Sequence, residues 1–232
     1  TNMSGMFYLA DSFNQAIGDW DVSSVTDISG MFSGASSFNQ PIGNWDVSSV
    51  TNINGMFSGA SSFNQPIGDW DVSNVSNMRL IFFGSAFNQS IGNWDVSNVT
   101  NMEGMFYLAV DFNQPIGNWN VGNVTLMWHM FNEAHSFNQP IGDWDVSNVT
   151  NMDAMFGGAI SFNQDISGWC VTNITSEPGN FSAGTPLIEA YKPIWGTCPS
   201  FGLDNQNQLD ISIYPNPFSQ YINVTIDTEL EA

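Results

Sequence analysis

Basic residues are almost missing from this 232-residue sequence: Arg79 and Lys192 stand against 22 Asp and Glu, for a formal net charge of −20. Such a chain cannot neutralise a phosphate backbone, which takes clustered Lys and Arg, so nucleic acid is excluded as a partner. The same imbalance favours solubility, divalent cations or basic partners. Histidine is as scarce, with only His129 and His135. Neither has a Ser or Cys nearby that breaks the repeat pattern described below, so no nucleophile–base pair is found and an enzyme is not expected. No stretch approaches the roughly 20 apolar residues of a membrane helix, so membrane insertion is not expected either. There is no signal peptide, but the chain opens in mid-pattern, since residues 1–7 match residues 51–57. It therefore reads as a trimmed fragment, and the missing signal says nothing about location. Only two cysteines occur, Cys170 and Cys198. They read as a disulfide if the protein is exported, and as buried thiols otherwise.

What is abundant is repetition. Trp20, Trp45, Trp70, Trp94, Trp119, Trp144 and Trp169 recur every 25 residues, with a single spacing of 24 between Trp70 and Trp94. A fixed period of this size marks a stacked-repeat architecture whose units cannot bury their apolar faces alone. With 42% hydrophobic residues the chain has ample material for one continuous core. The consensus unit is Phe-Asn-Gln-Pro-Ile-Gly-Asn-Trp-Asp-Val-Ser-Asn-Val-Thr-Asn-Met-x-Gly-Met-Phe-x-Gly-Ala-x-Ser.

Ile53, Met56, Phe57 and Ala60 fall at i, i+3, i+4 and i+7, which predicts a helix of about two turns, with Ser48 or Thr51 as its cap and Gly59 as its end. Trp45 and Val47 alternate with Asn44, Asp46 and Ser48, which predicts an extended, strand-like segment. Each unit is thus expected to be an extended segment plus a short helix. The fold class expected is an α/β repeat, a right-handed leucine-rich-repeat-like solenoid of about seven 25-residue coils. It should curve with the extended segments on the inner side, because helices are wider than strands.

Two polar columns accompany the apolar ones. An Asn follows the first Phe of every unit, from Asn14 to Asn163, and is expected to satisfy backbone groups as a ladder. Asp21, Asp46, Asp71 and Asp95 follow Trp in successive units. Unit charges about 4.8 Å apart repel by roughly 0.9 kcal/mol even in water, so something must offset them. The offset is either an Asx turn, in which each Asp accepts N–H bonds from the Ser that follows, or calcium held by the column. No other cofactor is implied.

A contact surface should lie where the units disagree. In three consecutive units the variable positions place Arg79, Phe83, Tyr107, Leu108, Trp128 and His129 on what should be solvent-facing surface. This aromatic group, with the one Arg of the array, is a candidate binding patch; the alternative is scattered aromatics, or packing against the short unit.

The segments 38–52 and 56–63, which carry Phe-Asn-Gln-Pro-Ile-Gly-Asn-Trp-Asp-Val and Met-Phe-Ser-Gly-Ala-Ser-Ser-Phe, resemble BspA-like leucine-rich-repeat surface proteins of bacteria. The likeness covers residues 1–175. It implies a secreted or cell-surface protein associated with adhesion. Residues 176–200, with Trp195-Gly-Thr-Cys198, look like the closing cap of such arrays in Bacteroidetes. After a polar linker over 201–210, Tyr214, Pro215, Asn216 and Pro217 open a β-rich tail (211–232). That tail is similar to the start of the type A C-terminal sorting domain of the type IX secretion system. The resemblance implies outer-membrane export by that machinery as a partner, with an unidentified protein or glycan as ligand. A carbohydrate-binding accessory module using exposed aromatics is the second reading.

Overall fold

The structure, a computed structural model, describes residues 1–199. The linker and the sorting motif at Tyr214–Pro217 lie outside the described residues. The 25-residue period is realised as seven stacked coils, which we number by the ladder of isolated parallel bridges joining Asn2, Asp27, Asn52, Asn77, Asn101, Leu126 and Asn151.

The coils are built from turns, not from a strand plus a helix. This corrects the α/β class with its short helices. Among the described residues the helical content is one 3-10 turn, Glu189–Tyr191, in the cap. In coil 3 the predicted helix is a chain of reverse turns, with Met56 N–H donating to Ile53 C=O, Ser58 to Gly55 and Ala60 to Phe57. The N–H groups in between leave the coil: Gly55 donates to Arg79 C=O, Phe57 to Ile81 and Gly59 to Phe83, at 2.6–2.9 Å. A helix would send every one of these bonds four residues back along its own chain. The glycine pair of the consensus suits this path. Gly55 (φ 61°) and Gly59 (φ 70°) are left-handed, the conformation that glycine adopts without a Cβ penalty and that breaks a right-handed helix. Thr51 caps nothing; its N–H and hydroxyl both donate to Thr26 C=O of the preceding coil. With no helical side, the basis for the expected curvature also falls away.

The core is a set of apolar columns running through the stack. Phe57 lies face to face with Phe63 in its own coil, ring centroids 3.9 Å apart, and 5.8–5.9 Å from Phe32 and Phe82 above and below. The Trp column is buried from Trp45 to Trp169, while Trp20 in coil 1 is 39% exposed. Each buried indole N–H is satisfied by the Ile carbonyl of the preceding coil, as Trp94 Nε1 donates to Ile67 C=O at 3.1 Å. The Asn ladder closes the corner beside it: Asn64 N–H donates to Asn39 Oδ1 at 3.0 Å, and Gln65 Nε2 to the same oxygen at 2.9 Å. The glycine of the Ile-Gly-Asn turn has a different duty from the left-handed pair. A Cβ on Gly43 would sit 2.5 Å from the carbonyl oxygen of Pro66, so only glycine lets these turns approach.

The C-terminal cap continues the same bonds and then ends them. Ala154, Phe156 and Gly158 donate to Gly179, Phe181 and Ala183. Phe181 meets Phe156 edge-on at 5.4 Å, and Trp195 covers Phe181 in the same way at 5.0 Å. Lys192 Nζ lies between Glu177 (2.8 Å) and Glu189 (2.6 Å). Cys170 and Cys198 are disulfide-bonded across the cap.

Candidate binding face

The left-handed columns place the candidate residues. In coils 2–6 the residue before each left-handed position is only partly buried, while the Met or Ile and Phe between the two positions point into the core. Coils 2 and 3 carry Ser29, Ser33, Asn54 and Ser58 there, with glycine at both left-handed positions. Coils 4–6 differ. Phe83 meets Tyr107 edge-on at 5.0 Å, Tyr107 meets His129 at 5.4 Å, and His129 meets Trp128 edge-on at 5.0 Å. Four of the six predicted patch residues therefore form one continuous aromatic cluster across three coils, each half-buried. Arg79 borders it, and its Nε is paired to Glu103 at 2.8 Å. Leu108 follows Tyr107 with 38% exposure.

Sequence reasoning missed the rest of the face. Val110 (38% exposed) in coil 5 and Ile160 (59%) in coil 7 add exposed aliphatic side chains. Glu133 and His135 lie in coil 6 between them, joined by Oε2 and Nε2 at 3.0 Å. Glycine was the available signal: the left-handed positions hold Leu9, Leu80, Leu108, His129, Glu133 and Ala154, where other coils hold Gly.

Beside the cluster, over coils 1–3, runs a shallow trough of about 380 Å³. Gly5, Gly30 and Gly55 form its floor, serine hydroxyls its sides, Tyr8 one end, and Arg79 with Leu80 the other.

The Asp column is occupied by its own chain. Asp46 Oδ1 accepts both the N–H of Ser48 (3.1 Å) and its hydroxyl (2.6 Å), and Asp21 and Asp71 repeat the arrangement with Ser23 and Ser73. Asp95 accepts Ser97 N–H at 3.0 Å. The hydroxyl bond first, and the N–H bond second, hold these carboxyls below their ordinary value, while the neighbouring carboxylates of Asp71 and Asp21 push Asp46 the other way. The Asx-turn alternative thus accounts for the column. Among the described residues no group of three or more His, Cys, Asp or Glu could hold a metal ion. Nor is any helix among them long and apolar enough to cross a membrane.

Residues 1–91 and 83–191 each match the family model described as "Mycoplasma protein of unknown function, DUF285". No curated protein matches the chain, and no solved structure does.

Proposed function

The chain belongs to the DUF285 family, whose description assigns no activity, and from that premise we propose that it is a secreted or surface-displayed protein that acts by binding, in adhesion or protein interaction. The observation that carries this reading is the cluster Phe83–Tyr107–His129–Trp128 on the outer face of coils 4–6. The repeat does not require these aromatics, since coils 2 and 3 hold Ser, Asn or Gly at the matching positions, whereas aromatic and Arg side chains are the usual anchors of protein contacts. Two further points support display outside the cell. A structural disulfide persists in oxidising compartments. The resemblance to BspA-like surface proteins, and of residues 214–217 to a type IX sorting domain, supports export by that system.

The test is binding of the purified chain to whole cells and to immobilised proteins, with Tyr107→Ala and Trp128→Ala as variants. Each is expected to weaken binding by roughly tenfold or more. Binding unchanged in both variants would sink the reading.

The hydroxyl-lined trough favours the second reading, a carbohydrate-binding module. A glycan array separates the two: sugar binding lost on Tyr8→Ala and retained on Trp128→Ala would establish it in place of the first.

A further inference from the structure

The left-handed positions of coils 5 and 6 carry side chains that the fold does not need. Leu108 (φ 58°), His129 (φ 58°) and Glu133 (φ 57°) occupy a backbone conformation in which Gly30, Gly34, Gly55 and Gly59 show what the coil itself uses. His129 adds a second cost, since its Nδ1 is buried with no hydrogen-bond partner. Leu108 adds a third by exposing a large aliphatic group beside Val110. The repeat itself requires none of the three, since other coils hold Gly at the same positions, and all three lie on the proposed binding face.

We propose that Leu108, His129 and Glu133 are recognition residues, held at the expense of stability, and that the surface they serve takes a protein partner presenting apolar side chains flanked by Lys or Arg. The proposal rests on reading this face as a binding surface and names its partner. Main-chain capture of an extended strand is ruled out, because Leu108, His129 and Glu133 already donate their N–H groups to Asn132, Asp153 and Gly157 of the next coil at 2.7–2.9 Å. A sugar platform needs open ring faces; here the rings of Phe83 and Trp128 are engaged edge-on with Tyr107 and His129, and exposed aliphatics stand alongside. Apolar anchors on the partner suit that mixture. The charge complement follows from the rim: Asp111, Glu133 and Asp153 are acidic, and Arg79 is paired with Glu103.

Glycine substitution separates recognition from folding. Leu108→Gly, His129→Gly and Glu133→Gly should leave Tm unchanged or raised, because each relieves the left-handed strain. Each should weaken binding by about tenfold. The probe is a synthetic amphipathic helix of Leu and Lys, read by calorimetry or fluorescence, beside a Leu and Glu helix of the same pattern. The Lys helix is expected to bind, to weaken as salt rises, and to lose affinity to Glu133→Gln, which keeps side-chain length without charge. Equal binding of the two helices overturns the partner chemistry. Glycine variants that keep full affinity, or that lose it only together with Tm, overturn the recognition role. If Tyr107→Ala and Trp128→Ala weaken cell or protein binding while the glycine variants do not, this proposal fails alone. If neither set has an effect, the binding reading fails with it.

Discussion

Three kinds of glycine and aspartate carry most of the information at the scale of single residues. Gly43 is needed for close approach, so Gly43→Ala drives a methyl group into the Pro66 carbonyl and is expected to destabilise by about 1–3 kcal/mol, measured by denaturant unfolding. The left-handed positions give the opposite sign. Ala154 sits at φ 50° where glycine is unstrained, so Ala154→Gly should stabilise by about 1 kcal/mol. The aspartates set a pH dependence. Asp21, Asp46, Asp71, Asp95 and Asp165 have carboxyls held low by Ser hydroxyl and N–H groups. Their stabilisation is therefore complete above the ordinary carboxylate range and is lost as pH falls through the lowered values. Thermal melts across that acid range should fall less steeply for Ser48→Ala, which removes the larger of the two bonds to Asp46. An equal slope would show that the turn bonds do not set the acid limit.

At the scale of the coil, apolar spacing alone misleads. Ile53, Met56, Phe57 and Ala60 are buried as a helix face would be, yet consecutive reverse turns deliver the same i, i+3, i+4, i+7 pattern. The discriminating residues are the glycines of the columns of Gly55 and Gly59, at least one of which is present in every coil but the sixth and which a helix interior disfavours. By contrast, the Trp, Phe and Val columns and the Asn ladder were legible, because period and burial need no knowledge of backbone angles. Of the binding face, Arg79 to His129 stood out by departing from the consensus. Glu133 departed from it too, at a glycine position whose left-handed angle the apolar pattern does not reveal; Val110 and Ile160 lie at a variable position, and their exposure depends on how the turns are closed. The indole bonds allow a direct check of coil-to-coil coupling. Trp94→Phe keeps the ring but leaves the Ile67 carbonyl without its donor, and is expected to cost about 1–3 kcal/mol.

For the whole molecule, contacts run between neighbouring coils, so stability should approximate a sum of coil and interface contributions. The cap ends that series. Its disulfide closes a separation of 28 residues, which by loop entropy corresponds to roughly 3.5 kcal/mol. Cys170→Ser with Cys198→Ser should therefore lower stability by about 2–4 kcal/mol. Hydrogen exchange should show protection lost first at Phe156 and Gly158, whose N–H groups bond the cap. Loss that began in coils 2–4 would contradict a stack closed from this end.

That same bond has a mechanical consequence. Chain tension arriving from beyond Cys198 passes through sulfur to Cys170, beside Trp169 in coil 7, and bypasses the 171–197 segment. A pull on the tail therefore cannot peel the cap away one hydrogen bond at a time. The load is delivered instead to coil 7 at Trp169, which is buried and bonded to Ile141 of coil 6, and a molecule anchored by its C-terminal end while gripping a partner at coils 4–6 would carry it through the aromatic columns.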